Sequence, residues 1–186
     1  MKTEHLLAEK LKEMMTTMPL DEISVSLLSD KCGVNRKTFY YHFHDIYDLL
    51  MQVFLDEKIA GADKANTPSD LLVAIHNYYS KNSKFIDATL SSAGKDLFEE
   101  FIYNAVYQAF VRMISKIENA KQISPSERKN IVRFYTSGYA HAITFYFDNF
   151  KNKTIHGLAH SVKFLGENFL EDAVNKSLLE REESLK

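Results

Sequence analysis

What most limits the folds open to this chain is where its three prolines fall. Pro19 closes the stretch Thr3–Met18, in which Leu6, Leu7, Leu11, Met14, Met15 and Met18 recur at the i, i+3, i+4 spacing of one helix face. Pro68 follows Thr67, a good N-cap with proline at the first helical position. Ser124-Pro125-Ser126-Glu127 sets serine at the N-cap, proline at N1 and glutamate at N3, which is a capping box. Each proline therefore marks a helix end. With only 6 glycines in 186 residues, the turns of an all-β sandwich or barrel cannot be built. The expected fold class is all-α, with about nine helices near 3–18, 25–32, 36–43, 46–61, 69–81, 83–91, 95–119, 125–149 and 154–180. Ile23-Ser24-Val25-Ser26 alternates like a strand but has no partner run nearby, so a helix entrance capped by Ser24 or Ser26 is expected instead. The segment Asp63–Ser69 is the natural boundary between a head and a body.

Composition narrows the function classes. At 45% hydrophobic and 26% charged residues the chain is far from the disordered regime. Its formal net charge of −2 does not by itself announce a nucleic-acid partner. A single cysteine, Cys32, excludes an internal disulfide framework and a Cys-rich zinc site, and fits a reducing compartment. The amino terminus runs straight into charge, with no signal peptide, and no apolar run approaches the ~20 residues of a membrane span. A soluble, cytoplasmic protein with no membrane partner is expected. Enzyme motifs are missing: there is no glycine-rich phosphate loop, no Gly-x-Ser-x-Gly and no His-Glu-x-x-His. His156 and His160 are four apart but lack a third ligand, so no metal or other cofactor is expected.

The body helices are unusually apolar. In 95–119 the hydrophobic residues cover most sides, which requires enclosure by other helices. The stretch from Phe134 to Phe150 carries seven aromatics together with Gly138 and Ala142, four apart, which let another backbone come close. Part of this surface is expected to meet a second copy. Tyrosines in these helices can line an apolar pocket with polar tips, or simply form core and dimer seam. The candidates for ligand contact are His76, Tyr79, Tyr103, Tyr107, Tyr135 and His141.

The informative stretch is Ile23–Leu50. It reads as a short helix (Val25–Cys32), a tight turn at Gly33-Val34-Asn35 and a second short helix (Arg36–Phe43). Gly33 can take the positive φ that ends a helix, and Asn35 can cap the next. Two such helices form a helix-turn-helix, whose second member is shaped to enter a DNA major groove. From Lys31 to His44 there are Lys31, Arg36, Lys37, His42 and His44 and no acid, yet residues 1–50 carry six Lys/Arg against eight acids. The basic surface is therefore a narrow strip, and the salt dependence of binding should be modest.

Ser24-Val25, Cys32-Gly33-Val34-Asn35, Thr38-Phe39-Tyr40-Tyr41-His42-Phe43 and Leu49-Leu50 together resemble the signature of the TetR family of transcriptional regulators. The helix Gly138-Tyr139-Ala140-His141-Ala142, followed by Asn149–Lys153, is similar to the subgroup that includes the dihydroxyacetone-kinase operon activator. The resemblance implies a three-helix DNA-binding head over residues 1–62 (motif about 25–44), a connecting fourth helix, and an effector-binding, dimerising body over 63–186. It implies a homodimer through the last two long helices on a palindromic double-stranded operator, the two recognition helices ~34–36 Å apart. Carried over residue by residue, it assigns Ser26 to a phosphate, and Asn35, Arg36, Lys37 and Thr38 to base edges or backbone, with Arg36 suited to guanine. Tyr40 and Tyr41 would bond phosphates, and His42 and His44 would lie beside the backbone. Phe39 and Phe43 are head core, and Cys32 fills a small-residue position. Many members open the fourth helix with a phosphate-clamping lysine; here Ile46 stands there, so that contact is missing or falls to His44. The implied function is a repressor governed by a small-molecule or protein effector. The alternatives are an activator whose effector is a partner protein, and a helical adaptor that does not bind DNA.

Overall fold

The computed structural model describes residues 3–184. They form nine α-helices: α1 Thr3–Met15, α2 Val25–Cys32, α3 Arg36–His42, α4 Ile46–Asp56, α5 Pro68–Leu90, α6 Lys95–Lys116, α7 Pro125–Asn149, α8 Ile155–Val162 and α9 Phe169–Ser184. Three 3₁₀ turns join them, and no strand occurs among the described residues. The fold is all-α, as expected from the sequence. None of these helices is long and apolar enough to cross a membrane. The chain divides into two units, Met1–Lys58 with Tyr79–Phe101 and Ile59–Tyr78 with Ile102–Lys186.

In the first unit, Leu7, Leu11 and Met15 of α1 bury themselves with Leu28, Phe39, Leu49 and Leu50. Removing such side chains from water contributes about 1.5–3 kcal/mol each. The Phe54 ring sits 5.5 Å from Phe85, 5.9 Å from Phe98 and 5.3 Å from Phe101. These contacts explain why Tyr79–Phe101 joins a unit otherwise made of the first 58 residues. Lys12 pairs with Glu57 and lies 5.3 Å above the Phe85 ring, packing its stem while its charge is met. The helix expected over 46–61 stops earlier, because Glu57 turns extended (φ −71°, ψ 147°). The break expected between 81 and 83 is a kink inside α5, where Asn82 leaves helical geometry (φ −120°, ψ 19°).

In the second unit the Ser124 capping box is complete: its hydroxyl accepts from Glu127 N–H and the Glu127 carboxylate accepts from Ser124 N–H at 2.8 Å. Hydrogen bonds from Ser124 hold the Glu127 carboxyl below its usual range. Phe110, Tyr139 and Phe169 form the aromatic centre, with Phe110 5.1 Å from Tyr139 and 5.2 Å from Phe169. The single helix expected over 154–180 is two. α8 ends at Val162, Lys163–Leu165 makes a 3₁₀ turn, and Gly166 takes φ +71°, which a side-chain-bearing residue adopts only at a cost.

The α7–α8 turn is held by one phenol. The Tyr146 hydroxyl lies 3.0 Å from the carbonyls of Asn152 and Thr154, and accepts from Thr154 N–H at 2.9 Å. A Cβ on Gly157 would lie 3.0 Å from Tyr146 Cζ and closer still to its oxygen. Gly157→Ala is therefore expected to lower unfolding free energy by about 2–3 kcal/mol, through overpacking and loss of these bonds. In a Tyr146→Phe background, where the obstructing oxygen is gone, the same change should cost clearly less. Urea denaturation of the four variants measures the coupling.

Candidate nucleic-acid interface

Local capping builds the α2–α3 pair. The Ser24 side chain accepts from Leu27 N–H at 3.1 Å, so Ser24 is the cap, and half-buried Ser26 is left outside it on the first turn of α2. At the other end Gly33 takes φ +65°, its N–H bonding Asp30 O and that of Val34 bonding Ser29 O. These bonds satisfy carbonyls the helix would otherwise orphan. Asn35 then caps α3, its Oδ1 accepting from Lys37 N–H at 2.9 Å.

Helix α3 is sharply two-sided. Phe39 is fully buried and Phe43 nearly so, their ring centroids 5.8 Å apart. Arg36 and Lys37 are exposed, Tyr40 is 59% exposed and Tyr41 84%, while Thr38 is half-buried. The two phenols stand largely in solvent. A guanidinium, an ammonium and two phenols make a donor surface suited to phosphates and base edges. His44 is also exposed, its backbone N–H donating to Asp48 at 2.9 Å. His42 is half-buried, with Nδ1 3.0 Å from Glu4 Oε1. Ile46 is buried in the head core, so its side chain offers nothing to an anion. Asp45 caps α4 by accepting from Asp48 N–H, which places two acids next to His44 and narrows the basic strip. Cys32 is half-buried, with burial pushing its thiol above the usual range, consistent with a packing role. Tyr47 donates to Asp21 at 2.7 Å, and that bond raises its phenol.

Sequence reasoning did not single out Glu4, which is 38 residues from its partner His42. No local pattern could have paired them.

The six candidate ligand residues are dispersed. Tyr79 falls in the first unit, where its hydroxyl donates to both oxygens of Asp87 at 3.0 and 3.2 Å. In the second unit His76 Nε2 bonds the Lys153 carbonyl at 3.0 Å. Tyr103 and Tyr107 stack at 6.2 Å, Tyr135 packs 4.8 Å from Phe169, and His141 is exposed beside Phe145. His156 and His160 are exposed, and His160 Nε2 lies 2.8 Å from Lys163 Nζ. No group of three or more His, Cys, Asp or Glu that could hold a metal ion occurs among the described residues.

Two capped helices that meet at a left-handed glycine in an all-helical chain define a protein of the helix-turn-helix class. The chain belongs to the TetR-type transcriptional regulators, since residues 66–167 match the family model for their "transcriptional regulator C-terminal region". A solved structure named dihydroxyacetone kinase operon activator DhaS shares the fold, with a TM-score of 0.59 and 19% identity over 88% of this chain and 93% of that one. No curated protein matches the chain.

Proposed function

We propose that the chain is a homodimeric, cytoplasmic repressor. Its residues 1–62 would bind a palindromic DNA operator, and residues 63–186 would dimerise and take an effector. The observation that carries this reading is the two-sidedness of α3, with Phe39 and Phe43 buried while Arg36, Lys37, Tyr40 and Tyr41 are exposed. Arg36 reads guanine; Asn35, Lys37 and Thr38 reach neighbouring base edges or backbone. Ser26, Tyr40 and Tyr41 bond phosphates, and His42 and His44 lie beside the backbone.

The dimer is supported by the outer face of α7. Phe134, Gly138, His141 and Phe145 follow one another at i, i+4, i+7 and i+11, with Phe134 75% exposed. A Cβ at Gly138 would meet nothing within 4 Å among the described residues, so a second helix can approach there closely. Apolar groups exposed in a row mark a surface that another protein covers. Phe134→Glu should convert the dimer to monomer in light scattering and weaken operator binding at least tenfold, since one head then engages alone.

For the effector, support comes from Thr136, whose fully buried hydroxyl has no hydrogen-bond partner among the described residues. Such a group leaves a polar position for a ligand to satisfy. His76, Tyr103, Tyr107, Tyr135 and His141 are the candidate contacts in that unit, and Tyr79 in the other.

The test is fluorescence anisotropy on DNA tiles from the chain's own upstream region, at two salt concentrations. Tight binding to one tile supports the reading; equal weak binding to every tile overturns it. The name of the DhaS structure favours a second reading, in which the regulator activates and answers to a partner protein. A reporter driven by the bound tile separates the two, since loss of the regulator raises expression under a repressor and lowers it under an activator.

A further inference from the structure

We infer that Glu4 is a positioning residue for the recognition helix, acting through His42; this rests on the operator reading above. α3 has seven residues, less than two and a half turns, too short to hold its own orientation. Its inner side is held by Phe39 and Phe43, one turn apart on a single face, an anchorage that opposes lifting of the helix more directly than roll about its axis. The last turn carries His42, and its Nδ1 lies 3.0 Å from Oε1 of Glu4, on the first turn of α1. A carboxylate only accepts, so Nδ1 carries the hydrogen, and it does so in the neutral and the charged ring alike. The bond therefore ties α3 to α1 across 38 residues of chain, from a side of α3 other than the one that carries Phe39 and Phe43. A tie placed there fixes the roll. Roll decides which base edges Arg36 can reach, so Glu4 sets operator specificity without touching DNA.

An acid this close to a DNA-facing helix would otherwise be a liability. If Glu4 did nothing but repel phosphates, removing it would tighten binding to every sequence. The positioning role has the opposite sign. A partly exposed pair of this kind is worth about threefold in affinity per head, so a dimer using both heads should lose about tenfold.

The experiment measures full-length Glu4→Ala, Glu4→Gln, His42→Ala, His42→Asn and Glu4→Ala/His42→Ala against operator and scrambled DNA, with melting temperature as the fold control. Glu4→Ala should bind operator about tenfold more weakly, lose little on scrambled DNA, and melt within a few degrees of the parent. Glu4→Gln keeps an acceptor and should recover most of the loss. His42→Asn restores a donor near the Nδ1 position and should recover part of the His42→Ala loss. Adding Glu4→Ala to His42→Ala should cost nothing further. Tighter or unchanged binding by Glu4→Ala, no rescue by Glu4→Gln, or additive losses in the double variant would each overturn the inference. A parent chain that binds no tile sinks the operator reading and this with it, whereas specific binding indifferent to Glu4 sinks only this.

Discussion

Replacing Arg36 and Lys37 together with alanine is expected to abolish operator binding while leaving the head folded. Both side chains are exposed and neither lies in the core. Both also sit in the first turn of α3, where the positive end of the helix dipole disfavours cations. Alanine there suits the isolated helix better, so stability should change by no more than about 0.5 kcal/mol, or rise slightly. Residues that work against their own helix are placed for something outside it. A bidentate arginine–guanine pair is worth about 1–3 kcal/mol of discrimination. Two heads double that, giving a loss from about thirtyfold to above ten-thousandfold for Arg36→Ala alone. Lys37→Ala should act differently: binding falls across all sequences, and the slope of affinity against salt drops by about two per dimer, one for each phosphate that is no longer neutralised. Anisotropy titrations at four salt concentrations, with a thermal melt of each variant, separate the two roles. Intact folding with unchanged affinity in the double variant would leave the exposed strip without a DNA role.

The features legible in the sequence are those set by neighbours a few residues away. Gly33 at the left-handed position, Asn35 as cap and the box at Ser124–Glu127 each depend on contacts within about four residues, and each stands where the residues indicate. The discontinuity at Asn82 falls between the helices expected at 69–81 and 83–91, where the chain kinks within one helix. What escaped reading depends on distant partners. The apolar stripe Ile155, Leu158, Ala159, Val162, Leu165, Phe169, Ala173 keeps helical spacing straight through Gly166, and nothing in that spacing signals a break with φ +71°. Periodicity reports which residues want burial, not whether one helix or two delivers them. Likewise the chain leaves the helix at Glu57, short of the expected end at 61, and Ile59 is buried as part of the second unit. In the candidate site, the run from Lys31 to His44 without an acid marked the basic strip, and the family resemblance pointed to α3 as its carrier. The Glu4–His42 bond was not, because a hydrogen bond between two helices has no signature in either.

Phe39→Ala is expected to do the reverse of the Arg36 and Lys37 changes, destroying binding by undoing the head. Phe39 is fully buried, its ring 5.5 Å from Tyr40 and 5.8 Å from Phe43. Truncating a buried phenylalanine costs about 3–5 kcal/mol, from lost transfer energy and the cavity left behind. Whole-domain stabilities are only about 5–15 kcal/mol, so this is a large share of what holds the first unit. The loss falls where relaxation is least able to help, since α3 is seven residues long and its burial rests on Phe39 with Phe43. The adjacent Tyr40, 59% exposed, supplies the control: Tyr40→Phe keeps the ring, removes the hydroxyl and should leave the melt unchanged while weakening DNA binding severalfold. Phe39→Leu fills most of the cavity and should recover more than half of the lost stability. Urea denaturation, with anisotropy at a temperature where each variant is folded, distinguishes the cases. Binding by Phe39→Ala that returns in full under folding conditions would show that the residue supports the head and takes no part in recognition. Loss of binding with the melt intact would instead mean that α3 can detach from a head that stays folded, and that burial of this one ring is what holds the recognition surface in place.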